Sequence, residues 1–335
     1  MDAVRAIADA VLYEGYVLWP YRRSALKNTR RWTFGGVYPR PHSAAHPDDP
    51  WVMRTECLLE LAGPAAIDVR VRFLQLVDRQ VMRLEGSSLE PVDALTVAGQ
   101  RHLSWSEAIE RELGAGELSP AALRRGLRIP IAIDAAGEDE ALCDETGAPA
   151  GALRRSWRGL EGLLELGADE LCDGLLRVRA TLSNTTEFAA DDREEVIERT
   201  FCSTHTVLHA DGAEFVSLTD PPPELADQAR ACRNEGAWPV LVGEERDRHT
   251  LLASPIILED HPRIAPESPG DLFDGGEIDQ LLVLNILALT EEEKAEMRAT
   301  DPRTREILER TEALTPEELM SLHGAVREYG PARRP

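Results

Sequence analysis

Ile67-Asp68-Val69-Arg70-Val71-Arg72-Phe73 places an apolar residue at every second position with a charged one between. Successive side chains of an extended chain point to opposite faces, so this alternation predicts a strand with one buried and one wet face. Strand signals begin at Arg54, and Ala62-Gly63-Pro64, following the apolar run at 56–61, reads as a hairpin turn. A second alternating run sets Leu176, Val178, Ala180 and Leu182 against Arg177, Arg179 and Thr181, and Asn184-Thr185-Thr186 closes it. Residues 129–133 and 196–208 read as further strands, and His209-Ala210-Asp211-Gly212 as a hairpin turn into 213–218. The expected fold class is α+β, mainly β: an antiparallel β-sandwich-like core with short helices and a helical C-terminal region.

Helical signals flank these strands. Val4, Ile7, Ala8, Val11 and Leu12 have the spacing of a one-sided helix. Ser104 with Glu107 spells a capping box for a short helix over 105–113, and Ser119-Pro120 opens another. Residues 134–151, rich in Ala, Gly, Asp and Glu, read as a mobile loop. Thr290 with Glu293, Asp301 with Pro302, and Thr315 with Pro316 and Glu318 announce three short helices, the last with an apolar face of Leu319, Leu322, His323 and Val326. The division read from composition is 1–50, a helix and a basic, aromatic segment packed on the core; 51–254, the β-rich core; 255–270, a Pro-rich connector; and 271–330, the helical region.

The chain has 335 residues and 43% apolar content, enough for a sizeable core. Its 60 acids against 37 Lys and Arg give a formal charge of -23, which repels nucleic acid and anionic membranes and suits a basic partner or a cation. Five scattered cysteines with no Cys-x-x-Cys pair fit reduced thiols and a cytoplasmic location. No apolar run approaches the roughly 20 residues of a membrane span, so membrane insertion is not expected.

One segment departs from this acidic background. Residues 15–47 hold six Lys/Arg (Arg22, Arg23, Lys27, Arg30, Arg31, Arg40) and no acid, and seven of the 17 aromatic residues fall at 13–38. Trp, Tyr and Arg dominate binding hot spots, so Trp19, Tyr21, Arg22, Arg23, Lys27, Arg30, Arg31 and Trp32 are candidate partner-binding residues, gripping an acidic surface. The structural alternative is that the aromatics plug the core while the arginines pair with the protein's own acids. Both can hold together.

Residues 13–39, 175–223 and 271–314, the last including Asp-Leu-Phe-Asp-Gly-Gly-Glu-Ile-Asp-Gln-Leu-Leu, resemble an uncharacterised family encoded beside actinobacterial-type nickel-iron uptake hydrogenases. The resemblance implies a cytoplasmic, non-enzymatic accessory, scaffold or maturation role, with a hydrogenase subunit or maturation factor as partner. It carries no active site.

Chemical signatures are sparse. Cys202-x-x-His205-x-x-x-His209 has ligand residue types, and metal delivery is one alternative function. On a strand, however, Cys202 points away from His205, and His205 and His209 lie about 13 Å apart at roughly 3.3 Å per residue. Asp271, Asp274, Glu277 and Asp279 read as a turn and a helix start. No phosphate-binding glycine loop or nucleophile elbow is present, and no cofactor is indicated. A carbohydrate- or small-molecule-binding sandwich, with Trp105, Trp157 or Trp238 lining a pocket and two carboxylates doing chemistry, is the other alternative.

Overall fold

A 34-residue strand, β1 (Val52–Glu85), is the axis of the larger of two units in the chain. The computed structural model describes residues 2–29, 31–32, 34–264, 270, 272–273 and 279–321. Along β1 follow β2 (Ser88–Val92), β3 (Ala94–Val97), β4 (Gln100–Leu103), β5 (Trp105–Leu118), β6 (Leu127–Ile133) and β7 (Ala136–Cys143). Then come β8 (Pro149–Trp157), β9 (Leu160–Cys172), β10 (Leu175–Asn184), β11 (Cys202–Val216), β12 (Trp238–Leu241) and β13 (Thr250–Ser254). The helices of this unit are α1 (Asp2–Tyr13), α2 (Arg40–Ala45), α3 (Pro120–Arg125), α4 (Arg193–Ile197) and α5 (Ala226–Arg230).

β1 changes partners along its length. Residues 52–60 pair with β10 and 58–74 with β11, while 67–79 take β5 on the other edge and 78–85 end between β8 and β2. Every one of these pairings is antiparallel, and the sheet runs β12-β13-β11-β1-β10-β9-β6 with β2, β5, β7 and β8 branching from it. The mainly-β α+β fold is therefore as expected.

Ile67, Val69, Val71 and Phe73 are buried, and the Phe73 ring meets Phe201 edge-on at 4.7 Å in the main core. The opposite face is less wet than its charges suggest. α1 lies on it, packing Ile7, Ala8 and Val11 against Val240, Val242 and Leu252. Arg72 is thereby buried, with Asp9 of α1 at 2.6 Å and Glu110 and Glu112 at 3.6 Å, because a covered guanidinium must bring its counter-charges with it.

Four local expectations are corrected. Both predicted hairpin turns lie within strands and face each other: β1 and β11 pair through Leu61–Ala213 and resume at Ala66–Asp211, so residues 62–65 bulge opposite Gly212. Residues 105–113 are strand, because β1 supplies a long-range partner; Ser104 donates to the Val92 carbonyl and accepts from the Val81 N–H instead of capping a helix. The expected loop at 134–151 is largely the β7–β8 hairpin, locked by cross-strand pairs of Arg154 with Asp139 and Arg155 with Glu140. Finally, 193–197 forms α4 before β11 begins.

The smaller unit contains residues 17–29 and 264–335. Residues 1–50 thus do not form one piece: 17–29 joins the helical C-terminal region, while 1–16 and 30–50 belong with the sheet. α6 (Asp279–Leu287), α7 (Glu291–Thr300), α8 (Pro302–Glu312) and α9 (Pro316–Ser321) bury Val283, Ile286, Met297, Ile307 and Leu308. Thr290 and Asp301 cap as read from sequence, and Thr315 exchanges hydrogen bonds with Glu318 in the same way. Asp271, Asp274, Glu277, Leu322, His323 and Val326 lie outside the described residues. Among the described residues no helix is long and apolar enough to cross a membrane.

Gly212 sits at φ +72°, and a Cβ there would stand 2.3 Å from the Pro64 carbonyl oxygen. Gly212→Val should therefore cost at least about 2 kcal/mol, read as a lower urea midpoint, since strain and a backbone clash add. An unchanged midpoint would show that the bulge is soft.

Candidate functional site

The basic, aromatic segment is shared between the two units. In the sheet unit Arg31 is buried in an aromatic box. Its guanidinium carbon lies 3.8 Å from the Trp105 ring centre and 4.8 Å from that of Trp32, and Tyr16 packs edge-on to Trp32 at 5.2 Å. Arg31 Nη1 donates to the Tyr16 carbonyl at 2.9 Å and Nη2 to the Ser106 carbonyl at 2.7 Å. Arg193 in turn donates to the carbonyls of Arg31 and Trp32, both at 3.1 Å. Cation–π contact and carbonyl acceptors replace the water that the guanidinium gave up, so Arg31 and Trp32 are internal and do not present themselves to a partner.

In the helical unit residues 17–29 form a loop closed by Asn28. Its side-chain oxygen accepts from the Leu18 N–H at 2.8 Å, and its nitrogen donates to the carbonyls of Leu18 at 2.9 Å and Arg22 at 3.0 Å. Tyr21 is fully buried and donates its hydroxyl to the Leu272 carbonyl at 2.6 Å, with Trp19 edge-on to it at 6.0 Å. The loop runs along α7: Arg22 pairs with Glu293 at 3.0 Å, Ser24 donates N–H and hydroxyl to Glu296, and the Arg23 N–H donates to Thr300. The Thr290 N–H and hydroxyl, with Arg22 beside them, hold the Glu293 carboxyl below its ordinary range.

What this packing leaves outward is the tip. Leu26 is 85% exposed and Lys27 is exposed beside it, on a short 3-10 turn at Leu26–Thr29, with Arg23 half-buried nearby in sequence. Of the eight candidates, then, Tyr21, Arg31 and Trp32 are buried, Trp19, Arg22 and Arg23 are half-buried, Lys27 is exposed, and Arg30 lies outside the described residues. Leu26 was not a candidate. No pattern in the sequence marks it, because an exposed leucine is spelled like a buried one.

The metal-ligand candidates do not converge. Cys202 is buried against the carbonyls of Thr200 and Ile197, and burial pushes its thiol up to about 12. His205 donates Nδ1–H to the Ser203 carbonyl at 3.2 Å, and His209 turns Nδ1 to Thr250 at 2.9 Å. Among the described residues no three His, Cys, Asp or Glu side chains group to hold a metal ion. Trp105 is occupied by Arg31, whereas Trp238 lies on β12 at an end of the sheet order.

Two outcomes follow from this geometry. Arg31→Met should lower stability by roughly 2–4 kcal/mol in denaturant titration, because it strands two buried carbonyls; a change within 0.5 kcal/mol would place Arg31 at the surface instead. Burial lowers the His205 imidazole from its ordinary 6.5 to about 4. The folded state therefore refuses a proton that the unfolded chain accepts, and stability present above pH 6.5 is lost as pH falls to 4, by roughly 3 kcal/mol. His205→Gln should flatten that part of the stability–pH curve; an unaltered slope would assign the titration elsewhere.

Set against known proteins, the chain matches no protein-family model and no curated sequence.

Proposed function

We propose that this chain is a non-enzymatic accessory or scaffold protein that docks an acidic partner surface through the tip of the 17–29 loop. The observation that carries the reading is Leu26, 85% exposed beside Lys27 on a loop whose base is pinned by Asn28 and Tyr21. A large apolar side chain held out in water gains when a partner covers it, and a loop already ordered loses little freedom on binding. Arg23 and Lys27 flank the leucine with positive charge in a chain of net charge -23, so an acidic rim around an apolar socket is the complementary surface. Burial of Tyr21 and Trp32 and exposure of Lys27 are compatible here, since they fall on different residues.

The resemblance of residues 13–39, 175–223 and 271–314 to a family encoded beside nickel-iron uptake hydrogenases supports a hydrogenase subunit or maturation factor as that partner. All five cysteines are free thiols, which suits a reducing cytoplasm.

Leu26→Asp combined with Lys27→Glu should abolish co-purification of the partner from the native host and leave the melting temperature within about 2 °C, because surface changes seldom exceed 0.5 kcal/mol. Undiminished co-purification would overturn the docking assignment. A large fall in melting temperature would make the tip part of the fold.

A further inference from the structure

An open sheet ends in strands whose outer backbone groups have no ladder partner, and two ends of this 11-stranded sheet are blunted. At β12 the outward N–H of Leu241 donates to Asp260 Oδ1 at 2.8 Å, its carbonyl accepts from the His261 N–H at 2.7 Å, and Pro239 has no N–H to offer. At β6 the ladder bonds alternate outward from the Asn184 N–H on the Trp51 carbonyl, through β10 and β9, so that Pro130 takes an outward position.

The edge of β7 carries no such block. Ser104, wedged between Val81 and Val92, takes the Val81 N–H on the β2 side, so Asp78, Gln80 and Met82 direct their backbone groups to β8. Alternation across the hairpin then gives Glu138 and Glu140 to β8 and turns the backbone groups of Gly137, Asp139 and Ala141 outward. All three residues are exposed, and among the described residues no group takes up these outward N–H and C=O groups. β7 contains no proline, and Leu142, buried with Val81, Val97 and Leu153, anchors the strand to the fold.

Charge selects what can pair there. Residues 134–157 hold six acids against two arginines, a surplus of four negative charges that remains after Arg154 pairs with Asp139 and Arg155 with Glu140, each at 2.8 Å. The elements packed against the hairpin do not cancel it. β1 brings Arg79 and Arg83, which Glu107 and Glu85 take up, together with Asp78, and residues 88–103 bring Glu90 and Asp93 against Arg101. We infer that the outer edge of β7 takes an extended, Lys- or Arg-bearing segment of another protein as one more strand of the sheet. Backbone pairing to Gly137, Asp139 and Ala141 supplies the ladder, and cations on the added strand answer the acids beside it. A second copy of this chain does not fit, since two such edges would set like charges against each other. The edge is separate from the 17–29 loop and does not depend on the docking reading.

Titration of the full chain into a fluorescein-labelled octapeptide of alternating Lys and Val, with an alternating Glu-Val octapeptide as control, tests this. The expected result is saturable binding of the Lys-Val peptide that weakens with added salt and is at least about tenfold tighter than that of the Glu-Val peptide. Ala141→Pro removes one outward N–H and leaves the bonds of Glu138 and Glu140 to β8 intact. It should weaken binding at least about tenfold and keep the melting temperature within about 3 °C. Equal binding of the two peptides, or an unchanged affinity in a folded Ala141→Pro protein, would overturn the assignment, the latter by showing that a basic peptide adheres through charge alone. Should Ala141→Pro fold poorly, amide hydrogen exchange in the unmodified protein decides the same question: the Asp139 and Ala141 amides slow when the Lys-Val peptide is added if a strand forms there, and exchange as before if it does not.

Discussion

The constraint on which the larger unit depends is the hydrogen-bonding demand of β1. An extended run of 34 residues presents donors and acceptors along two edges, and burying it leaves none of them free to go unpaired. No single neighbour is long enough to serve. β10 and β11 flank its first part, β11 and β5 its middle, and β8 and β2 its end, so one strand recruits five others. The bulge at 62–65 is the local consequence: it lets β1 and β11 stay paired on both sides of a Gly-Pro sequence that would otherwise end the ladder.

Covering both faces of such a strand buries charges as well as apolar groups. The protein handles this by keeping guanidiniums together with carboxylates or carbonyls. Arg72 meets three acids; Arg79 donates to the Leu103 carbonyl and to Glu107, which Arg155 also grips. Arg31 uses aromatic faces and two carbonyls for the same purpose. Lys27, by contrast, is exposed at the loop tip.

Much of the candidate site was legible as a stretch and little of it as residues. The concentration of aromatics and cations at 13–38 marked the region, and the chain there does leave the sheet unit to build part of the other. Composition could not tell Arg31, enclosed by three rings, from Lys27, exposed on a turn, because both are written as cations beside aromatics or apolar residues. Leu26 was invisible as a site for the same reason. Its exposure is set by which distant parts of the chain fold beside it.

By itself the sequence determined the quantities that depend on near neighbours. The period-2 alternation at 67–73 and 176–182 made strands, and Ser119, Thr290 and Asp301 started helices, since an alternating pattern or a cap acts within a few residues. Tertiary structure decided what depends on partners far away. It turned two apparent hairpins into facing halves of a bulge, and a capping-box sequence at 104–107 into a strand edge. It also assigned 17–29 to the helical unit. In each case a local preference worth about 1 kcal/mol met a long-range demand to satisfy buried backbone groups and cover apolar surface, and the larger energy prevailed.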